Sequence, residues 1–325
     1  MKKQSRMGDG TQSTKSSLWR KLRRQWQLQL FALIGMAFLL IFRYIPLAGI
    51  VIAFKNYSIN AGVSSIFTSD WNHFAYFKEF FNYYKSDEVI WNTVILSVLK
   101  LLFTFPAPII LAILLSEMRN MPFRRIVQTV SYLPNFISWI LVYTIANAFL
   151  NADHGAVQNV LLRLGWISKP ISFMTAPGMF RPMAAFWAVW KNTGWWAIIF
   201  LAAIMGIDQG LYDAAMIDGA GRFQRIWHIT LPGIRSAITT VLILSLGGLF
   251  GGGMGGSNFD QAWIFGNQMN NATSEIVQTY AFRMGLIQGR FAFATAVDLL
   301  QSIFAIIMIL VSNFAVKKAT GEGLF

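Results

Sequence analysis

The chain of 325 residues contains no cysteine and only three histidines, His73, His154 and His228, far apart in sequence. The first absence excludes a disulfide framework, a thiolate metal site and a cysteine nucleophile, and the scattered histidines leave no set with metal-ligand spacing. Acidic residues are scarce, 14 Asp and Glu against 27 Lys and Arg, and no lysine follows a glycine. Without a Gly-Lys pair there is no P-loop to cradle nucleotide phosphates. No Ser/His/Asp grouping and no pair of embedded carboxylates is present, so no catalytic set is assigned. Only 13% of residues are charged while 55% are hydrophobic, with a mean hydropathy of +0.49. That balance excludes an ordinary soluble protein, although the length would suit two soluble domains.

What is present is long apolar runs. An α-helix needs about 20 mostly apolar residues to cross a bilayer, because lipid offers no partners to free backbone N–H and C=O groups. Six stretches qualify, Leu28–Phe54, Val89–Leu115, Ile126–Leu150, Met183–Met205, Ala237–Met254 and Phe291–Val316, and predict an all-α integral membrane protein with six transmembrane helices. The fifth is the weakest, since Gly247–Gly256 holds seven glycines in ten positions. The Arg23-Arg24 pair ahead of the first run is followed by no small-residue cleavage site, so that run reads as a retained anchor.

The basic excess has a location. With the N-terminus in the cytoplasm, the inner segments 1–27, 116–125, 206–236 and 317–325 hold 16 Lys and Arg against six acids, and the outer segments hold eight against seven. Positive-inside bias therefore predicts both termini in the cytoplasm, and nucleic-acid binding is not needed to explain a net charge of +13. The predicted organisation is a basic N-terminal tail (1–27), a first span with an outer aromatic loop (28–88), a five-helix core (89–316) containing an inner loop (206–236), and a short tail (317–325). Residues 1–17 read as a polar, disordered stretch, and Arg20, Lys21, Arg23 and Arg24 beside Trp19 and Trp26 suit anionic headgroups.

The 206–236 loop carries the most informative pattern. Asp213, Ala214 and Ala215 suit the first turn of a short helix, where a carboxylate favours the positive end of the dipole. Gly219 and Gly221 end it, and Phe223, Ile226, Trp227 and Thr230 then recur at helical spacing until Pro232. An acidic-Ala-Ala triplet, three residues, Gly, nine residues and Ile229-x-Leu231-Pro232 resembles the cytoplasmic EAA loop of permease subunits of binding-protein-dependent ABC importers. The departure is Asp213, where the family usually has Glu. Tyr44-Ile-Pro46-Leu-Ala-Gly49, Asn92-Thr93, Phe105-Pro106-Ala107-Pro108 and Tyr132–Trp139 are similar to the branch that moves oligosaccharides, in particular aldouronate and alginate fragments.

That resemblance implies a type I ABC importer permease fold, in the bacterial inner membrane, with the loop as the coupling helix that docks on an ATPase. It also implies partners: a second permease, two ATPase subunits that bind the ATP and Mg, an extracytoplasmic solute-binding protein and an oligosaccharide substrate. The chain itself would be no enzyme and would hold no cofactor. Two rival classes make different demands. An ion-coupled secondary transporter needs paired broken helices or an acidic relay, and a membrane-embedded transferase needs a cluster of Asp, Glu or His. One Gly-rich break and one embedded acid, Asp298, meet neither.

Polar groups inside spans are costly and are therefore candidates for function. Arg43 and Lys100 read as snorkelling or paired side chains, with Asp298 as a possible partner. The stretch Trp190-Lys191-Asn192-Thr193-Gly194-Trp195-Trp196 combines a charge, an amide and stacking faces, which complement the hydroxyl edges and C–H faces of sugars. Asn135, Trp139 and Tyr143, at i, i+4 and i+8, could join that pathway from span three. Packing between helices is an equal reading for these aromatics. Gly251, Gly252 and Gly253 read either as a helix break lining the pathway or as a close helix approach. Trp71–Tyr84, with eight aromatics, reads as an interfacial helix on the outer face.

Overall fold

The computed structural model describes residues 24–251 and 258–321. The N-terminal tail to residue 23, the last four residues, and Gly252 and Gly253 lie outside that set; Gly251 is the last residue of a helix. Among the described residues the chain is helical, with one isolated bridge between Lys55 and Trp71.

The first span begins as α1 (Trp26–Leu39) and continues through a π turn at Leu40–Tyr44 and a 3-10 segment at Ala48–Phe54. A short α2 (Ala75–Asn82) precedes α3 (Ser86–Thr104), whose first turn carries Asp87 and Glu88 against the positive end of the helix dipole. Pro106 restarts the rod as α4 (Pro106–Ser116), where its missing N–H costs nothing at a helix start. Asn120 caps α5 (Met121–Tyr132), accepting from Phe123 N at 3.1 Å. After a 3-10 turn at Leu133–Phe136, Ser138 caps α6 (Trp139–Leu150).

The third apolar run is thus two helices bent by 105°, where an uninterrupted span was expected. Pro134 provides no N–H for the ladder, Ile137 turns extended, and Ser138 Oγ accepts from Leu141 N, so the polypeptide ends one helix and caps another within five residues.

The longest rods follow. α7 (Pro177–Met205) packs along α3 and α4. The inner loop comprises α8 (Gln209–Ile217) and α9 (Arg222–Arg225), the latter running on to Gly233 and meeting α10 (Arg235–Gly251) at 62°. α11 (Asn258–Phe265), α12 (Val277–Phe282) and α13 (Phe291–Thr320) complete the chain, and α13 lies against α10. Among the described residues four rods are long and apolar enough to cross a membrane, or up to six if each bent pair is one span.

Three buried clusters hold the bundle. Leu96, Val142, Ala184, Trp187 and Phe265 form one; Ala112, Ala197, Phe200, Ile204 and Ile234 form a second nearer the inner loop. Phe80, Val89, Tyr280 and Phe293 form a third around α2. The aromatic stretch ahead of α3 is therefore partly core: Phe80 is buried, and Tyr83 stacks on Tyr280 at 5.3 Å.

Candidate functional site

Between the first two clusters lies a cavity of about 550 Å³, lined among others by Lys100, Asn135, Ser138, Trp139, Lys191, Asn192, Trp195, Trp196 and Asp260. Its volume falls in the range of roughly 300–1,000 Å³ usual for small-molecule sites. Lys100 and Lys191 each stand 14 residues from the start of their rods, Ser86–Ser116 and Pro177–Met205. At 1.5 Å rise per residue that is ~21 Å along the axis, close to the middle of both. The cavity is therefore at mid-depth.

Each wall has a local cause. Gly194 lets α7 approach the first half of the broken span so closely that a Cβ there would fall inside the Ser131 carbonyl. The break itself leaves the carbonyls of Asn135 and Ile137 outside any helical ladder, while that of Pro134 accepts from Ile137 N at 3.2 Å. Lys191 Nζ donates to all three, at 3.3, 2.6 and 2.6 Å. An ammonium has three donors, so this one is spent on the bend. α11 closes the opposite wall, fixed by Asn258 Nδ2 donating to Ser97 Oγ at 2.8 Å and Gln261 Nε2 donating to the Ala184 carbonyl at 2.8 Å. Asp260, counted from sequence as an outer-loop acid, faces the cavity because α11 is packed among the spans.

The structure brings Asn135, Trp139, Lys191, Asn192, Trp195 and Trp196 together at this cavity. Tyr143 is not with them: its ring meets Phe265 edge-on at 5.2 Å in the core. Trp190 is also elsewhere, edge-on to Trp187 at 5.5 Å. The break separates Asn135 from the helix that carries Trp139 and Tyr143; Trp139, at its start, borders the cavity, and Tyr143, one turn further on, packs against Phe265. Lys100, Thr104, Ser138 and Asp260 are lining residues that sequence reading missed. An embedded lysine was the available signal for Lys100. Asp298 is exposed and makes no ion pair, so it is not the partner expected for Arg43 or Lys100.

The inner loop is a second candidate. Asp208 caps α8, its Oδ1 accepting from Gly210 N at 3.0 Å, so Asp213 lies mid-helix and not in the first turn as expected. Gly219 sits at φ +79°, with its N–H on the Met216 carbonyl at 3.1 Å and Ala220 N–H on the Ala215 carbonyl at 2.8 Å. This paired 5→2 and 6→1 arrangement is a Schellman ending, and the left-handed conformation is what requires glycine, since the space around a Cβ there is open. The Tyr212 and Thr230 hydroxyls meet at 3.0 Å and tie the two halves together. Ile229, Leu231 and Pro232 lie in the turn that leads to α10. Ile217, Phe223 and Trp227 are exposed, and His228 Nδ1 lies 3.0 Å from the Gln224 carbonyl oxygen.

A smaller cavity, about 420 Å³, includes Trp263, Asn267, Asn271, Glu275 and Arg283. Glu275 pairs with Arg283 and accepts from Asn271 Nδ2 at 3.2 Å. Burial pushes its carboxyl above the ordinary range, against the opposing pull of the Arg283 guanidinium. Arg181 donates to Asn92 Oδ1 at 2.6 Å, and Asn92 donates to the Ala272 and Glu275 carbonyls, which fixes this region to α3 and α7. Among the described residues no group of His, Asp or Glu could hold a metal ion.

Comparison with known proteins bears on both sites. Residues 104–318 match the family described as binding-protein-dependent transport system inner membrane component. The chain is 42% identical over 304 residues to protein LplB of Bacillus subtilis (strain 168), covering 94% of this chain and 92% of that one. It is 37% identical over 305 residues to the polygalacturonan/rhamnogalacturonan transport system permease protein YteP of the same organism, with the same coverage. A crystal structure of a bacterial ABC transporter involved in the import of the acidic polysaccharide alginate superimposes with a TM-score of 0.83 at 34% identity, over 94% of this chain and 99% of that one. The same values hold for the bacterial alginate transporter in complex with an alginate pentasaccharide-bound periplasmic protein.

Proposed function

The chain belongs to the family of binding-protein-dependent transport system inner membrane components, and on that footing we propose that it is the permease subunit of an ABC importer for acidic oligosaccharides of uronic-acid type. The observation that carries this reading is the similarity over 94% of the chain to the alginate importer subunit and to YteP, whose names specify such polymers. The mid-depth cavity supports it, since indole faces, amides and both signs of charge line one space.

In this reading six spans leave both termini in the cytoplasm, and α10 supplies the fifth, directly after the loop. A second permease completes the translocation path, and a loaded solute-binding protein docks on the outer face. Two ATPase subunits bind ATP and Mg inside, since this chain has no P-loop. The loop from Asp213 to Pro232 presents its exposed apolar face, with Ile217, Phe223 and Trp227, to an ATPase cleft. Nucleotide-driven closure then tilts α7 and α10, which the loop joins, and the cavity alternates between the two sides. Each ligand must discriminate between the two states for that coupling to exist.

The test reconstitutes the permease pair, the ATPases and the binding protein in proteoliposomes. The expected result is ATP hydrolysis stimulated by binding protein loaded with an oligouronide. Gly219→Pro cannot adopt φ +79° and also removes the N–H that Met216 receives. It should remain in the membrane and lose at least about 90% of that stimulation, on the order of the tenfold effect that 1.4 kcal/mol of coupling would give. Unchanged stimulation would show that the loop does not couple.

A further inference from the structure

The mid-depth cavity contains two lysines, and they are not equivalent. Lys191 has given its three N–H donors to the carbonyls of the broken span. Lys100 is 4% exposed, and among the described residues its ammonium makes no hydrogen bond; the Trp139 ring centre lies 5.9 Å from Nζ. The same ring stands 5.8 Å from Lys191 Nζ, so two ammonium groups flank one indole. Asp260, the acid among the lining residues, makes no direct ion pair with either, and its charge acts on Lys100 through space. A buried ammonium without an acceptor is unfavourable unless something supplies one.

We propose that Lys100 is the specificity-determining residue of the translocation path, the ammonium that receives the carboxylate of a uronic-acid unit while that sugar lies against the face of Trp139. This rests on the reading of the chain as an acidic-oligosaccharide permease and assigns the recognition to one residue of it. The surrounding groups divide the remaining work. The carboxylate of Asp260 accepts from sugar hydroxyls, and the amide of Asn192 can donate or accept. Two lysines against one aspartate make basic groups the majority of the cavity's ionisable lining, which suits a sugar carboxylate. A neutral sugar offers Lys100 only hydroxyl oxygens, weaker acceptors than a carboxylate, so the same cavity favours an acidic unit over its uncharged analogue.

The experiment uses the complete importer in proteoliposomes with two probes, an oligouronide and the same oligosaccharide with its carboxyl groups reduced to alcohols. Each variant is compared with wild type for one probe at a time, at saturating binding protein, so the preference of the binding protein cancels. Lys100→Met keeps the length of the side chain and removes its charge, and Lys100→Arg keeps the charge. Lys100→Met should reduce uptake of the oligouronide about tenfold or more, from the loss of one charge-assisted contact, and leave the reduced sugar within about twofold. Lys100→Arg should retain most of the oligouronide uptake. Equal loss for both probes in a complex that remains assembled would make Lys100 a structural residue, and no loss for either would take it off the path. If the wild-type importer moves neither probe, the substrate reading itself fails, an outcome distinct from a wild type that moves oligouronide with an indifferent Lys100.

Discussion

At the scale of single residues, the two embedded lysines show why charge in a span cannot be interpreted from position alone. Lys191 stood in the more suggestive sequence context, between aromatic and amide neighbours, yet its ammonium closes a backbone defect three residues wide. Removing it strands the carbonyls of Asn135 and Ile137 at the bend, while that of Pro134 keeps the Ile137 N–H, and each unsatisfied buried group costs about 1–3 kcal/mol. Lys191→Met should therefore lower the melting temperature of the detergent-solubilised complex, and it should reduce uptake of charged and uncharged oligosaccharides in equal proportion. A selective loss for the charged one would restore Lys191 to substrate recognition. Lys191 was legible as functional from its cost in the bilayer, but the choice between substrate and backbone was not, because the carbonyls it meets lie 54 to 57 positions earlier in the chain.

At the scale of elements, the inner loop and the third span make opposite cases. The loop was readable because its determinants are local: a glycine for a left-handed helix ending, small residues in one short helix, and a proline before the next span. Only the start of its first helix was misplaced, since Asp208 and not Asp213 occupies the cap. The third span has an unbroken apolar composition, so hydropathy runs through the bend and does not reveal that Pro134 and Ser138 act as a stop and a start. That bend is held from outside by α7. Gly194 permits the contact with Ser131, and Gly194→Leu should push the two elements apart, open the cavity wall and abolish uptake while the ATPases still bind the inner loop. Co-purification of the ATPases alongside an uptake assay separates the two effects; loss of both would mean that α7 and the loop fail together.

At the scale of the whole molecule, the surplus of basic residues predicts the direction in which the chain is threaded. The sequence has no cysteine, so single cysteines can be introduced without background. In intact cells with a permeable outer envelope, a membrane-impermeant maleimide should label a cysteine at Asp153 or Gln268 and spare one at Ser5 or Ile217 until the membrane is lysed. Labelling at Ile217 from outside would invert the topology and remove the loop from any cytoplasmic ATPase. The first span adds a structural point at this scale. Its residues from Trp26 to Leu47 are largely exposed, and its principal contact with the remainder is through Ala48–Phe54 against α13. In lipid such exposure carries no hydrophobic penalty, which is why a long apolar helix can leave the bundle of its own chain.

Composition and local pattern by themselves determined that this is a helical membrane protein, and the resemblance of the Asp213–Pro232 motif pointed to the binding-protein-dependent importer family, which the family match and the relatives bear out. Those properties depend on chain segments of about 20 residues, over which lipid solvation and backbone satisfaction act without reference to the rest of the molecule. Tertiary structure alone decided where the cavity lies, which lysine is free within it, and that Asp260 reaches it. Residues from α3, the broken third span, α7 and α11 meet there, and no spacing within one segment encodes a distance between segments. Their meeting follows from a close glycine crossing at α7 and from the amide bonds that hold α11 between α3 and α7.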